Sequence, residues 1–499
     1  MESKVSRRLK EPLAAEICEL IYAPRLARDF LKQFPHLTQV NKAHLLMLHK
    51  TGLLNDGIAK QLANGLKQME SEGPSAVELD PAREDPYFNY EARLIAITSR
   101  DVGGRLHMAR SRNDMGATID RIRARDVVLA TLEAVGTVRK TILERADNFA
   151  DTIMPGYTHL QPAQPITFGF YLSGIAESFG RDMDRLQNAL IRIDMCPLGA
   201  GALAGTRLPI DRRITAEHLG FTAVVANTLD AVASRDFAWE VMSTMAMLAV
   251  TWGRVAQDLH VWSSHEFGLV SFPDRVASTS SIMPQKKNPA VLEYLKGKSA
   301  HILGLLNTAL ATVKGTFFSH AGDSSRESMR NFWECAEEVI RSLTLFNLIM
   351  GSVEPRTQNM LAHVNQDFSV ATDLADGLVL DADMSFREAH HVVGGLVRLA
   401  LDAGKSANEL TSDMLDQAAI EVTGAALGCS ADQLSQYLDP IQSVNARTSG
   451  GPAPTAVRQS IQTQLRHLED ALHVVAATKA RLETARRTME HEFESIASL

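Results

Sequence analysis

A regular spacing of apolar residues between positions 236 and 265 constrains the fold of this chain more than any other feature. The apolar positions alternate between steps of three and four residues, which is the heptad pattern of a packed helix and not the alternation of a strand. They are Ala238, Val241, Met245, Leu248, Trp252, Val255, Leu259 and Trp262. At about 1.5 Å per residue this seam predicts a helix of roughly 40 Å, and a helix of that length belongs in a bundle.

Other stretches have the same helical character, and few segments have the alternation or the aromatic content of strands. These helical stretches are 121–147, 166–193, 292–313, 326–350 and 457–494. The sequence therefore predicts an all-α protein built around long helices.

Composition and charge exclude several classes of function. The chain has 499 residues and a formal net charge of −8, and it contains no tract of clustered basic residues, so no nucleic-acid partner is expected. The longest apolar stretch, 242–252, is much shorter than the roughly 20 residues that span a bilayer. Because the first residues also lack the apolar segment of a signal peptide, we expect a cytoplasmic protein that does not associate with membranes.

Residues 280–289 combine hydroxyl, ammonium and carboxamide groups in a short stretch with two prolines, Ser-Ser-Ile-Met-Pro-Gln-Lys-Lys-Asn-Pro. Proline resists a continuous helix, so the stretch predicts an ordered loop, and a helix starting after it would favour negative charge at its N-terminus. Such a loop can bind a dicarboxylate and favour ionisation of a serine hydroxyl beside a lysine. The alternative is a solvated Lys/Asn turn.

The same stretch resembles the signature loop of the fumarase/aspartase superfamily, and its Met-Pro-Gln-Lys-Lys-Asn-Pro form points to the argininosuccinate lyase branch. Residues 107–114 (His-Met-Ala-Arg-Ser-Arg-Asn-Asp) and 156–165 (Gly-Tyr-Thr-His-Leu-Gln-Pro-Ala-Gln-Pro) resemble two further blocks of that family, in the expected order. Thr279 stands where the family usually has glycine. Because a β-branched residue disfavours positive φ, the loop conformation is open at this position.

Structural alternatives exist for each of the two other blocks taken singly. Arg110, Arg112 and Asp114 could form a surface ion-pair cluster. His159 could be a core histidine whose ring is satisfied by a backbone carbonyl, which is the commoner fate of a lone histidine.

The resemblance implies three helical domains, which we expect at 1–110, 111–365 and 366–499. It also implies a homotetramer in which the long helices of the middle domain form a shared multi-helix core. Its active sites would be composite, with the blocks around Asn113, His159 and Ser280 coming from different chains.

The family resemblance also implies roles for individual residues. Ser280 matches the general base that removes the Cβ proton of the substrate, and Lys286 and Asn288 match positions that favour its ionised form and stabilise the resulting aci-carboxylate. Ser281 offers a further donor. Ser111, Arg112 and Asn113 match positions that hold the succinyl portion, with Arg112 able to bind a carboxylate bidentately.

Thr158 and His159 match the second block of the family. His159 is a candidate for protonating the leaving nitrogen. However, an alkylamine leaves from an already protonated nitrogen at neutral pH, so His159 could instead bind a carboxylate or orient the surroundings of Ser280.

No cofactor and no metal are expected. The sequence has no Gly-x-Gly-x-x-Gly after a strand and no phosphate-binding loop. Its four cysteines lie far apart and show no spacing typical of metal ligands. The expected ligand is a small dicarboxylate or N-substituted aspartate.

The residues that would recognise the leaving amine differ from the argininosuccinate lyase pattern. Aligned on residues 314–315 and Asp323, His320, Ser325 and Ser328 replace the Tyr, Gln and Lys of the family. Near the N-terminus the Ser-x-x-Tyr-Asp of the family is matched at Tyr22 and becomes Glu19 and Ala23 at the flanking positions.

We therefore expect a carbon–nitrogen lyase that forms fumarate by reversible anti β-elimination from another N-substituted aspartate. The resemblance suggests ethylenediamine-N,N′-disuccinate (EDDS), with N-(2-aminoethyl)aspartate as the second product, and argininosuccinate is the alternative substrate. Two other classes are an adenylosuccinate lyase and a non-catalytic structural relative. The intact Ser280, Lys286, Asn288 and His159 argue against loss of the chemistry.

Overall fold

The N-terminal helices pack around a core of their own in the computed structural model, which describes residues 11–499. They are α1 (Ala15–Ile17), which continues through a π-helical turn (Cys18–Tyr22) into α2 (Ala23–Lys50), then α3 (Asp56–Glu72), α4 (Pro86–Ile97) and α5 (Arg100–Arg105), with 3-10 turns at Pro74–Ala76 and Pro81–Arg83. The start of α4 is encoded locally, because the Asp85 side chain accepts the N–H of Phe88 and Pro86 occupies the first turn.

Five long helices form the central region. In chain order the elements are α6 (Arg112–Asn148), β1 (Ile153–Thr158), β2 (Gln161–Thr167), α7 (Phe168–Ile193), β3 (Met195–Cys196), α8 (Arg212–His218), β4 (Ala223–Val224), α9 (Thr228–Ala233), α10 (Asp236–Trp262), β5 (Val270–Ser271), a 3-10 turn (Asp274–Val276), β6 (Ser278–Thr279), β7 (Lys287–Asn288), α11 (Ala290–Val313), a π-helical turn (Asp323–Ser328) and α12 (Met329–Met350). Helices α6, α7, α10, α11 and α12 pack side by side.

The heptad seam of α10 is confirmed and lies in the middle of this bundle. All eight of its apolar side chains are buried within the single chain, and the Trp252 indole N–H donates to the Leu295 carbonyl of α11 at 3.2 Å. The sequence could not say whether this seam packs within one chain or between chains. Its packing partners are helices of the same chain.

The C-terminal third divides into a small helical cluster and one long helix. Its elements are β8 (Glu354–Pro355), α13 (Thr357–Gln366), α14 (Ala371–Asp381), α15 (Phe386–Asp402), a 3-10 turn (Ala407–Glu409), α16 (Ser412–Thr423), α17 (Ala431–Tyr437), α18 (Pro440–Ala446) and α19 (Pro454–Ser498). Helices α14 to α17 share a separate apolar core. Helix α19 packs along α6, α7 and α3 instead. This helix of 45 residues therefore packs with the two regions predicted at 1–110 and 111–365, although it lies in the region predicted at 366–499. The boundary at 366 stays a prediction.

In the part of the chain that the structure describes, the strands are short and form four separate two-stranded pairs, β1–β2, β3–β4, β5–β8 and β6–β7. The predicted all-α class is therefore confirmed, although the sequence does not predict the hairpin β1–β2, which spans the block at residues 156–165. Within residues 11–499, no helix is long and apolar enough to cross a membrane.

Candidate active site

The loop at residues 280–286 is closed at its base by a short antiparallel ladder. Ser278 of β6 pairs with Asn288 of β7, and Thr279 pairs with Lys287, while α11 begins at Ala290 directly after Pro289. The stretch is therefore an ordered loop followed by a helix, as predicted. Thr279 lies in extended backbone, where a β-branched side chain is favoured, so the missing family glycine is accommodated without a positive φ.

The Ser280 hydroxyl is held by the backbone of its own loop. Its Oγ accepts the N–H of Met283 at 3.0 Å and the N–H of Ile282 at 3.3 Å. These donors would stabilise a negative charge on the oxygen if the hydroxyl gave up its proton. The same two contacts are those of a loop serine that bonds its own backbone, and they would also favour the alkoxide that a general base requires.

The two loop lysines have different environments. Lys287 forms an ion pair with Asp274 at 2.5 Å, and its hydrogen bond and charge lower the pKa of Asp274. The Lys286 backbone N–H donates to the Met283 carbonyl at 3.1 Å, whereas its side chain is exposed and makes no hydrogen bond or ion pair within residues 11–499. Lys286 is therefore the loop ammonium that is free to meet a ligand, and its predicted effect on Ser280 stays a prediction. Exposed Ser281 and half-buried Asn288 lie on the same loop.

The first block forms the N-terminus of α6. Ser111 caps the helix, and the Ser111 N–H donates in turn to the Asp114 carboxylate at 2.8 Å. The other Asp114 oxygen accepts the N–H groups of Gly199 and Gly201 at 2.9 and 3.0 Å, and both glycines have positive φ. Burial raises the pKa of Asp114 to about 6, against the effect of these bonds. Asp114 is thus a buried anchor, and the surface ion-pair alternative is wrong.

Arg112 and Asn113 follow the cap on the first turn of α6. The Arg112 Nη1 donates to the Glu84 and Asp85 carboxylates, at 2.8 Å each, and its guanidinium lies over the Phe88 ring. The Nη1 of Arg112 is therefore already hydrogen-bonded, so bidentate binding of a substrate carboxylate would use its Nε and Nη2. The Asn113 amide donates to the Ala202 carbonyl at 3.1 Å.

Thr158 and His159 lie at the exposed tip of the β1–β2 hairpin. Thr158 pairs with Gln161, and the two turn residues, His159 and Leu160, have φ of 56° and 58°, as in a type I′ turn. Non-glycine residues are uncommon in this region of backbone space, and such strain is often kept where a site needs it. Since His159 is exposed and has no hydrogen-bond partner within residues 11–499, the core-histidine alternative is wrong.

A polar cavity of about 330 Å³ brings the first block together with the expected amine side. It is lined by Arg112 and Asn113, by His320 and Ser325, and by residues of α2 and α6. Ser328 does not line it, because that hydroxyl is buried between the Trp239 indole N–H and the Ala309 carbonyl. The hairpin tip and the Ser280 loop also lie outside the lining, so one chain does not assemble all three blocks in this cavity.

Sequence reasoning missed three arginines of this cavity, Arg25, Arg235 and Arg326. The sequence held signals for two of them, because Arg235 falls within residues 227–237, which also resemble the family, and Arg326 follows Ser325. Burial and the positive charges of these three arginines and Arg112 lower the pKa of His320 to about 4, so its ring is neutral at neutral pH. Within residues 11–499 no cluster of His, Cys, Asp and Glu side chains is arranged to hold a metal ion.

Comparisons with known proteins identify the family of this chain. Residues 27–304 match the Lyase family, and residues 368–445 match the Argininosuccinate lyase C-terminal family. The chain is 38% identical over 485 residues to argininosuccinate lyase 1 of Shouchella clausii, covering 97% of each chain. It is 36% identical over 450 residues to the argininosuccinate lyase of Methanosarcina acetivorans, covering 89% of this chain and 90% of that one.

A solved structure of EDDS lyase in complex with formate is also similar. It shares 31% identity and a TM-score of 0.87, covering 98% of this chain and 97% of that one. Matches of this extent, together with the Ser280 loop and the cap at Ser111, establish the family. The chain is a carbon–nitrogen lyase that belongs to the argininosuccinate lyase branch of the fumarase/aspartase superfamily.

Proposed function

We propose that this enzyme releases fumarate from an N-substituted aspartate other than argininosuccinate, with EDDS as the main candidate and N-(2-aminoethyl)aspartate as the second product. The observation that carries the proposal is the cavity beside Arg112 and Asn113. Where argininosuccinate lyases have Tyr and Gln, this cavity has His320 and Ser325, and four arginines line it. The similarity to EDDS lyase supports the same choice.

The elimination begins with the Cβ proton of the succinyl portion, which Ser280 would remove as an alkoxide. The C–H electron pair moves into an aci-carboxylate, and Lys286, Asn288 and Ser281 would stabilise its developing charge. That pair then forms the carbon–carbon double bond as the C–N bond breaks, and the C–N pair leaves on nitrogen. During both steps the substrate carboxylates would be held by Ser111, Arg112, Asn113 and Thr158.

His159 has three possible roles in this scheme. The substrate nitrogen carries a proton at neutral pH, so the amine can leave without an enzymic acid. His159 therefore either protonates the nitrogen when that proton is absent, binds a substrate carboxylate, or orients the groups around Ser280. Its exposed place on the hairpin tip suits contact with a ligand or with another chain.

We further propose a homotetramer whose sites combine residues of different chains. Two observations support it. His159 and Ser280 lie on exposed segments outside the cavity that holds Asn113. In addition, α11 buries one face against the bundle while its other face exposes Leu303 and Leu310, and a helix apolar on both faces is typical of a larger bundle.

Argininosuccinate lyase remains the second candidate, because the relatives named above carry that activity at 36% to 38% identity. The loss of the amine-side residues of the family argues against it, because His320, Ser325 and Ser328 replace the Tyr, Gln and Lys of argininosuccinate lyases. Replacing groups that pair with the leaving amine typically costs several kcal/mol of discrimination.

The test is to measure fumarate release from both substrates by its ultraviolet absorbance. We expect kcat/KM for EDDS to exceed that for argininosuccinate at least ~100-fold, which corresponds to about 3 kcal/mol of lost polar recognition. In reverse, the enzyme should add ethylenediamine to fumarate. Ser280→Ala enzyme is the control for background release. Equal or better activity on argininosuccinate would refute the EDDS proposal.

A further inference from the structure

Arg110 stands directly before residues 111–113, and the proposed chemistry gives it no role. Its side chain is buried, with 7% of the residue exposed. Its Nη2 donates to the Asn41 amide oxygen of α2 at 2.5 Å and to the Tyr87 hydroxyl of α4 at 3.4 Å, and its guanidinium carbon lies 5.5 Å from the centre of the Tyr87 ring. Arg110 therefore connects the start of α6 to both α2 and α4.

Tyr87 joins Arg110 to a carboxylate. The Tyr87 hydroxyl donates to Glu91 at 2.9 Å, and burial raises the pKa of Tyr87, so the hydroxyl keeps its proton at neutral pH. The His107 Nδ1 lies 2.8 Å from the same oxygen. Burial and the charges of Arg110 and Arg112 lower the pKa of His107 to about 4, so its ring is neutral. Because Tyr87 gives its only proton to Glu91, the His107 Nδ1–H donates to Tyr87.

The charge of Arg110 has no direct counterion. In the part of the chain that the structure describes, no carboxylate lies within ion-pair distance of it, and its Nε and Nη1 are buried without a hydrogen-bond partner. A buried charge without a direct partner costs stability. Stability alone therefore does not account for an arginine at this position, whereas its directed contacts with two other helices suit a role in geometry.

The turn that leads into Arg110 is strained and is held at several points. Ala109 has φ of 64°, where a non-glycine residue is uncommon, and such a conformation persists only when its surroundings fix it. The preceding carbonyl, that of Met108, accepts the Nε2–H of His44 at 2.8 Å. His44 is fully buried, and burial lowers its pKa well below the usual value, so this donor does not titrate near neutral pH.

Helix α4 contacts the arginines on both sides of Ser111. Tyr87 contacts Arg110, and Asp85 and Phe88 contact Arg112 as described above. These three residues of α4 are consecutive or nearly so at its N-terminus, so one helical turn sets the positions of both arginines. The cap residue between them is fixed by the same contacts.

We propose that Arg110 and Tyr87 are positioning residues of the elimination. They fix the turn at 107–110, and through it they place residues 111–113 for binding the substrate carboxylate, without touching the substrate themselves. This inference rests on the proposed function, which assigns carboxylate binding to residues 111–113.

Titration of fumarate into the enzyme tests the proposal, because it reports carboxylate binding whatever amine the enzyme releases. Tyr87→Phe removes one hydroxyl and keeps the ring. It should raise the Kd for fumarate and the KM for EDDS at least ~5-fold, a factor within the range of one hydrogen bond. Arg110→Met should raise both at least ~10-fold, and Arg110→Lys should restore part of the affinity. The kcat of each should change less than about threefold, because carboxylate contacts act in the ground state and the transition state alike.

A second tyrosine provides the matched control. The Tyr171 hydroxyl of α7 donates to the Asp258 carboxylate at 2.9 Å, so Tyr171→Phe also removes a hydrogen bond from a tyrosine to a carboxylate. It should lower the free energy of unfolding, as Tyr87→Phe does, and leave the Kd for fumarate within about twofold. If Arg110→Met does not fold, as judged by circular dichroism, the milder Tyr87→Phe decides.

Two outcomes would contradict the inference in different ways. If folded Tyr87→Phe binds fumarate as wild type does, or if Tyr171→Phe loses as much affinity, the positioning role is overturned and the proposed function stands. If Arg112→Met also leaves fumarate affinity unchanged, the proposed carboxylate binding by residues 111–113 is wrong, and the positioning role falls with it.

Discussion

Replacement of Ser280 by alanine tests the central step of the chemistry. The structure gives the hydroxyl two backbone donors, at 3.0 and 3.3 Å. Hydrogen bonds to a charged group contribute about 1.5–3 kcal/mol each, so together they favour the alkoxide by about 3–6 kcal/mol. At 1.4 kcal/mol per factor of ten, that is roughly 10² to 10⁴ in the alkoxide population, and a positioned general base contributes a similar factor.

We therefore expect Ser280→Ala to lower kcat at least ~100-fold. Fumarate binding should change less than about threefold, because alanine leaves the carboxylate donors of the site in place. The assay is steady-state fumarate release from EDDS, combined with calorimetric titration of fumarate into the variant. Such a split between kcat and product affinity is expected for a group that acts only on the reacting proton.

Ser281→Ala is the matched control, since it removes the neighbouring hydroxyl of the same exposed loop. It should lower kcat by about tenfold, as expected for the loss of one donor to the aci-carboxylate. A Ser280→Ala enzyme that keeps more than a few per cent of wild-type kcat would remove Ser280 from the role of base. The same reading fails if Ser281→Ala is the more damaging change.

Other perturbations test the surrounding groups. Lys286→Met should lower kcat as severely as Ser280→Ala, and the double variant should be little worse than either, because the two residues act as one unit. Mixing inactive His159 and Ser280 variants should restore part of the activity on reassembly. Asp114→Ala should lower the free energy of unfolding by about 3 kcal/mol or more, since it leaves the buried N–H groups of Gly199 and Gly201 and the half-buried N–H of Ser111 unpaired, as measured by denaturant titration. The pKa of His320 is lowered from 6.5 to about 4 in the folded chain. Between these pH values the unfolded chain binds a proton on this ring that the folded chain does not bind. The free energy of unfolding should therefore fall as pH decreases from about 6.5 to about 4, and His320→Gln should flatten that slope.

Each of these predictions has an outcome that would contradict it. Additive losses in the double variant would show that Lys286 only binds substrate. Mixed tetramers that form and stay inactive would refute shared sites. Exposed Asp101 provides the control for Asp114, and equal destabilisation by Asp101→Ala would mean that burial is not the cause. If the free energy of unfolding of His320→Gln keeps the wild-type pH dependence, groups other than His320 cause that dependence.

The sequence by itself determined the helical class and the local form of the Ser280 loop, and it predicted the residues of the fumarate half of the site. The seam of α10 follows from the spacing of apolar residues, which is a property of neighbours along the chain. The loop at 280–286 follows from its prolines and the helix after it. Features of this kind are local, so the printed order of residues is enough to find them.

The tertiary structure alone decided the character of the amine half. Arg25, Arg235 and Arg326 lie between 91 and 301 residues apart along the chain, and nothing in the sequence places them together. Only folding brings them to one cavity. Likewise, only the folded chain shows that Asp114 is buried and accepts the N–H groups of Gly199 and Gly201, and that Ser328 does not line the cavity. The energetic effect of a charge or of burial depends on neighbours in space, because the free-energy cost of a buried polar group is set by the partners that surround it.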